Sequence, residues 1–280
     1  MKAMQIVSFD GPSGLRYQDA SAPEPGPGQI AVDVDYAGVG YVEALFAEGF
    51  VPIDLPWTPG LEVTGRVRAL GDGVNGYRLG DAVVALTITG GGGYGQVAVA
   101  PGESVVVLGT GPIGLLHIAL AKLAGATTIL AAGREGRLAA ATDFGATCAV
   151  ALTGEALTAE VRERTNGRGA DVVIVAVGDL TLANQALELA AIGGRVTYFA
   201  GFPKGKTASI DPNLIHYREL AVTGGSNARR ADVRRAVELL SSGALDVASL
   251  VTHRFPLAEI DAAIAAVRQR AGLKVAVVPS

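Results

Sequence analysis

At 280 residues, with 49% hydrophobic and 18% charged side chains and a mean hydropathy of +0.36, the chain has material for a large core, which argues against disorder and for about two domains. A formal net charge of -4 with no block of Lys or Arg leaves no electrostatic footprint for nucleic acid or an anionic membrane, and a single cysteine, Cys148, excludes an intrachain disulfide and a CxxC metal knuckle. No apolar run reaches bilayer-spanning length and MKAMQIVSFDG lacks the continuous apolar stretch of a signal peptide, so a soluble cytoplasmic protein is expected.

Residues 1–100 alternate β-type runs (IAVDVDYAGV, VTGRVRAL, DAVVAL, GQVAVA) with turns rich in Pro and Gly, such as APEPGPG and LGDGVNG, and the short loop Gly90 to Gly93. That pattern predicts an antiparallel, barrel-like region. From Ser104 onward continuous apolar runs alternate with helical patterns: SVVVLG, a helix to Leu123, TTILAA, a helix from Arg137 to Phe144, and TCAVAL. DVVIVAVG, a helix from Leu182 to Ala191, GRVTYFAG, LAVTGG and a helix from Ala231 to Ser241 follow. Apolar strands separated by helices predict a doubly wound parallel α/β domain over 101–245. The tail, LVTHRFP, a helix from Asp261 to Arg268 and LKVAVVP, has little room in a sheet of six strands, so residues 246–280 are expected to rejoin the first domain.

The run SVVVLGTGPIGLL places Gly109, Gly111 and Gly114 between an apolar strand and a helix. The first glycine permits the tight turn, the second lets a pyrophosphate approach the backbone, and the third lets helix pack on strand. Pro112 and Ile113 open the helix whose free N–H groups and dipole favour phosphate, so a dinucleotide is expected there. An NAD site offers a carboxylate about 20 residues on. Here Ala131, Ala132 and Gly133 stand in that place, with Arg134 next and Arg137 close behind. The missing acid and the guanidinium favour NADP(H) over NAD(H); the alternative is that both arginines are solvated charges at a helix start. Gly178 and Gly201, with their neighbours Val177 and Ala200, end two further strands and are expected to edge the nicotinamide side of the crevice.

With these motifs, the sequence resembles the medium-chain dehydrogenase/reductases. APEPGPGQIAVDVDYAGVG, PGLEVTGRV, GYRLGDAVVAL, GGYGQVAVA, GTGPIG, HRFPLAEIDAAI and KVAVVP carry the resemblance along nearly the whole chain. It implies a GroES-like β-barrel domain made of residues 1–100 and 246–280, a Rossmann domain over 101–245, and a substrate cleft where they meet. It also implies two departures. Zinc-dependent members carry Cys in the segment matching AGVGYVE and His in a PGHE turn, where this chain has Gly40 and Leu61, so no zinc is expected. Glu62 alone cannot make that site and is expected to pair with an Arg or cap backbone N–H groups, with direct catalytic work as the alternative. In addition, Ala100 runs straight into Pro101 where the family normally has several tens of residues.

Without metal another group must polarise a carbonyl or protonate a carbanion, and Tyr41 sits where zinc-free quinone oxidoreductase-like members line their pocket; a half-buried barrel tyrosine is the alternative. Glu43, Phe46, Phe50 and Trp57 are expected to shape a pocket, and His117, His216 and His253 to be packing or surface residues. The reading is a zinc-independent NADPH-dependent reductase of a carbonyl or activated C=C such as a quinone or enone, working as a homodimer. A zinc-free alcohol or polyol dehydrogenase and a catalytically idle NADPH-binding protein are the alternatives.

Overall fold

The computed structural model describes residues 1–26, 29–40, 43, 46–49, 53–86, 102–226 and 228–279. Tyr41, Phe50, the Gly90 to Gly93 loop and the strand expected at GQVAVA lie outside them.

In chain order the first part contains β1 (Lys2–Ile6), β2 (Leu15–Asp19), β3 (Ile30–Val39), β4 (Glu62–Leu70) and β5 (Ala82–Leu86). The middle contains β6 (Ser104–Leu108), α1 (Pro112–Leu123), β7 (Thr128–Ala132), α2 (Leu138–Asp143), β8 (Cys148–Val150), α3 (Gly154–Arg164), β9 (Ala170–Val175), α4 (Leu182–Leu189), β10 (Ala190–Tyr198), α5 (Pro212–Tyr217), β11 (Ala221–Gly224) and α6 (Arg230–Ser241). The tail adds β12 (Val251–Pro256), α7 (Ile260–Arg268) and β13 (Lys274–Val278). Among the described residues no helix is long and apolar enough to cross a membrane.

The chain divides into two compact units, Met1–Gly90 with Ala248–Ser280, and Gly91–Val247. In the first unit β1 and β2 form an antiparallel hairpin, and a five-stranded sheet runs β12-β13-β3-β4-β5. β13 lies antiparallel to β3, with Val275 opposite Val39 and Ala276 opposite Gly38, so the tail completes this sheet. Its core gathers Ile6, Leu15, Val39, Leu61, Ile264 and Val275, with the rings of Phe46 and Trp57 stacked 4.7 Å apart.

The second unit is a six-stranded parallel sheet in the order β11-β10-β9-β6-β7-β8. Counted from β6, that is the doubly wound dinucleotide-binding order. Every residue of β6 is buried, as a central strand covered on both faces requires. α1 starts on Pro112, which lacks the N–H that the first turn cannot use, and turns Leu115, Ile118 and Ala121 to the sheet. Burying Leu115 and Ile118 stabilises it by about 1.5–3 kcal/mol each. Gly125, at φ +87°, ends it, with the Ala126 N–H returning to the Ala121 carbonyl.

The structure corrects one helix bound read from the sequence. α4 ends at Leu189, because Ala190 already pairs with Ala170 before Gly193 and Gly194 interrupt the ladder and Arg195 resumes it. β10 has neighbours on both sides, so the edge strands of this sheet are β11 and β8. The hairpin β1–β2 and the helices α3 and α5 had no counterpart in the sequence reading.

Candidate cofactor and catalytic sites

The carboxyl ends of β7, β6, β9 and β10, neighbours in that order, carry every residue expected to hold a dinucleotide. Gly109 has φ +110°, a conformation costly for any other residue, and turns the chain out of β6. A Cβ on Gly114 would lie 1.8 Å from the Gly109 carbonyl oxygen, so only glycine lets α1 sit this close to the strand. Gly111 takes the extended N-cap position, and no side chain caps the helix. The first turn holds no acidic residue, so its N–H groups and the helix dipole remain available to an anion. The Arg137 guanidinium lies beside Gly111, its Nη1 3.6 Å from where a Cβ would stand.

At the end of β7, Ala131 and Ala132 are buried and Gly133 donates its N–H to the Val150 carbonyl at 3.0 Å. A Cβ on Gly133 would fall 2.1 Å from Oγ1 of the buried Thr110, which gives a steric reason for glycine there. Arg134 is exposed and opens a 3-10 turn, Glu135–Arg137. Across the sheet, Gly109 faces Val177, and a Cβ on Gly178 would meet the Gly201 carbonyl oxygen at 2.2 Å. The amides of Phe199 and Ala200 both donate to the Val175 carbonyl at 3.0 Å, which folds the end of β10 over β9.

His117 on α1 meets the ring of Phe199 edge-on at 4.6 Å, and burial pushes its pKa down to about 4, so it is neutral near pH 7. His216 is exposed beside Tyr217, and His253 contacts Thr252 Oγ1 at 2.9 Å. Burial raises the Cys148 pKa, and its thiol lies 3.6 Å from the Glu160 carboxylate, which Arg164 also binds. Such a thiol is a poor nucleophile. At the amino end of β6 and β9, burial alone would raise the Asp171 pKa, but the Ser104 hydroxyl and amide, with Arg168 and Arg195, hold it low. That cluster lies at the opposite end of the strands from the crevice.

In the first unit, Glu62 begins β4 and binds Lys274 Nζ at 2.7 Å. The expected anchoring partner was an arginine; it is a lysine from the returning tail. The pair passes over Gly38, where a Cβ would stand 2.8 Å from Glu62 Oε2 and 3.3 Å from Lys274 Nζ. The backbone cap expected of Glu62 is made by Glu43 instead. Glu43 is only 9% exposed, and its Oε2 accepts the Gly40 N–H at 2.8 Å while Oε1 accepts the Leu61 N–H at 3.3 Å. Sequence reasoning assigned Glu43 to pocket shape alone, and its position three residues past Gly40 was the signal available. Gly40 and Leu61 have no ligating side-chain atom, and among the described residues no three His, Cys, Asp or Glu side chains cluster to hold a metal.

Comparison with known proteins adds family-level matches. Residues 26–110 match the alcohol dehydrogenase GroES-like domain and residues 112–242 the zinc-binding dehydrogenase family. A sorbitol dehydrogenase of Halalkalibacterium halodurans is 26% identical over 343 aligned positions that take in all of this chain and 99% of the relative. Those 343 positions against 280 residues mean that the relative carries segments this chain lacks. An L-threonine 3-dehydrogenase of Bacillus licheniformis is 35% identical over 180 residues, 64% of this chain, which spans about half, 52%, of that relative. The crystal structure of AibC superposes with a TM-score of 0.88 at 24% identity, covering 100% of this chain and 96% of that one, a likeness of fold.

Proposed function

The chain belongs to the medium-chain dehydrogenase/reductase family, and on that premise we propose that it is a zinc-independent, NADP(H)-linked oxidoreductase acting on a small carbonyl or alcohol. One observation carries the cofactor choice: an uncapped helix start behind a glycine turn stands beside a β7 end that holds no acid and presents an exposed Arg134. When bound, NADPH supplies the hydride. The helix amides after Gly111 would hold its pyrophosphate, and Arg134, supported by Arg137, its 2′-phosphate. Gly178 and Gly201, with Val177 and Ala200, would leave backbone rather than side chain against the nicotinamide.

Zinc does not fit the residues at hand, because the side chains at Gly40 and Leu61 offer no donor, and no step is assigned to it. The hydrogen bond to the substrate oxygen then falls to Tyr41, and the Glu62–Lys274 ion pair is one of the charged pairs of the same unit. Relatives named for sorbitol and threonine favour an alcohol or ketone substrate. A quinone or enone is the second reading, favoured by the likeness of AGVGYVEAL to the zinc-free branch.

The test is turnover of chelator-treated protein with NADPH over ketones, quinones and enones, and with NADP⁺ over polyols. Activity unchanged by chelator, without stoichiometric zinc, is expected. Tyr41→Phe should lower turnover about a hundred- to a thousandfold and leave NADPH affinity intact, since one lost transition-state donor costs about 2.7–4 kcal/mol. One zinc per chain, removed together with activity, contradicts the proposal. Intact NADPH binding with no turnover on any substrate supports an idle binding protein instead.

A further inference from the structure

Strands β3 and β4 are paired from Ile30 opposite Leu70 to Ala37 opposite Val63. Beyond that pair β3 continues alongside β13, with Gly38 opposite Ala276 and Val39 opposite Val275. The amides of Gly40 and Leu61 therefore lie past the end of the β3–β4 ladder. A backbone N–H withdrawn from water without an acceptor is costly, and positions 40 and 61 have no polar side chain to bridge the gap. One buried carboxylate serves both: Glu43 takes the Gly40 N–H on Oε2 and the Leu61 N–H on Oε1. The residue after Leu61 is Glu62, which reaches over Gly38 to Lys274.

We propose that Glu43 is a positioning residue, whose carboxylate clamps the splayed ends of β3 and β4 and so holds Glu62 against Lys274. The clamp uses an acceptor oxygen at each end of the carboxyl group. A glutamine has nearly the same shape but one acceptor oxygen, and its NH₂ would face an N–H donor. The kinetic consequence rests on the reading that this unit takes part in the reaction; the clamp itself does not.

The experiment compares amide hydrogen exchange in the full chain and in Glu43→Gln. Protection at Gly40, Leu61 or both should fall about tenfold or more, with the β6 amides Val105 to Val107 unchanged as an internal control. In the same variant kcat should fall about tenfold while the KM for NADPH stays constant. If Glu43→Gln does not fold, Glu43→Asp is measured; its shorter arm should keep the Gly40 bond and lose protection at Leu61, the longer contact. Unchanged exchange at both amides in a folded variant overturns the clamp. If the wild-type chain turns over no substrate, the activity reading fails while the exchange result still decides this one.

Discussion

In the nucleotide-binding unit the decisive residues act through what they lack. Gly114, Gly133 and Gly178 each stand where a Cβ would come within 2.2 Å of a backbone or side-chain atom. In the other unit they act through what they carry: Glu43 reaches an amide 18 residues away and Glu62 an ammonium 212 residues away. The first kind of site tolerates almost no added volume but is indifferent to the chemistry of its neighbours. The second kind depends on the charge and reach of its side chains.

The largest expected effect tests the first half of that contrast. Gly114→Val places two further carbons beyond a Cβ already 1.8 Å from the Gly109 carbonyl, so helix and strand must separate. The cost should exceed about 3 kcal/mol, seen as a large drop in Tm and loss of NADPH binding. A valine variant with Tm within about 2 °C of wild type would break the comparison.

His117 is a polar side chain inside the backbone-built unit, and it sharpens the point through pH. Its folded pKa of about 4 lies below the ordinary 6.5, so the unfolded chain takes up the proton first. Its contribution is complete above pH 6.5 and is lost as pH falls from there to about 4, by up to about 3 kcal/mol. Denaturant unfolding across that range should show the loss, and His117→Leu should remove most of it. An unchanged slope in the variant would assign the acid sensitivity elsewhere.

The smallest effect belongs to the side-chain site. The Glu62 and Lys274 side chains are 55% and 33% exposed, so Glu62→Gln should change stability by less than about 1 kcal/mol. A loss above about 2 kcal/mol would mean that this end of the sheet is held by the ion pair.

The same contrast explains what the sequence could show. A glycine has few reasons to recur in GTGPIG between a strand and a helix, so Gly109, Gly111 and Gly114 declared the cofactor crevice, and the apolar run SVVVL declared a strand buried on both faces. α3 was legible but unread: Glu155 stands in its first turn, Arg162 and Arg164 in its last, and Leu157 and Val161 lie one turn apart facing the core. The spacing of Glu43 from Gly40 hinted at one half of the clamp, but its bond to Leu61 and the lysine opposite Glu62 depend on which distant segments meet, which spacing and composition do not encode locally. The return of β13 to β3 was inferred by exclusion, whereas its register, which sets Lys274 over Gly38, could come only from the fold.

In the proposed function, the acid-free end of β7 and the exposed Arg134 together select NADP(H). The direct test is the Kd of NADPH and of NADH for wild type and Arg134→Ala, measured by the same titration. Loss of one charge-assisted contact costs about 1.5–3 kcal/mol, so NADPH should bind roughly ten- to a hundredfold more weakly in the variant while NADH changes by less than about twofold. Equal losses for both cofactors, or a wild type that prefers NADH, would contradict the account.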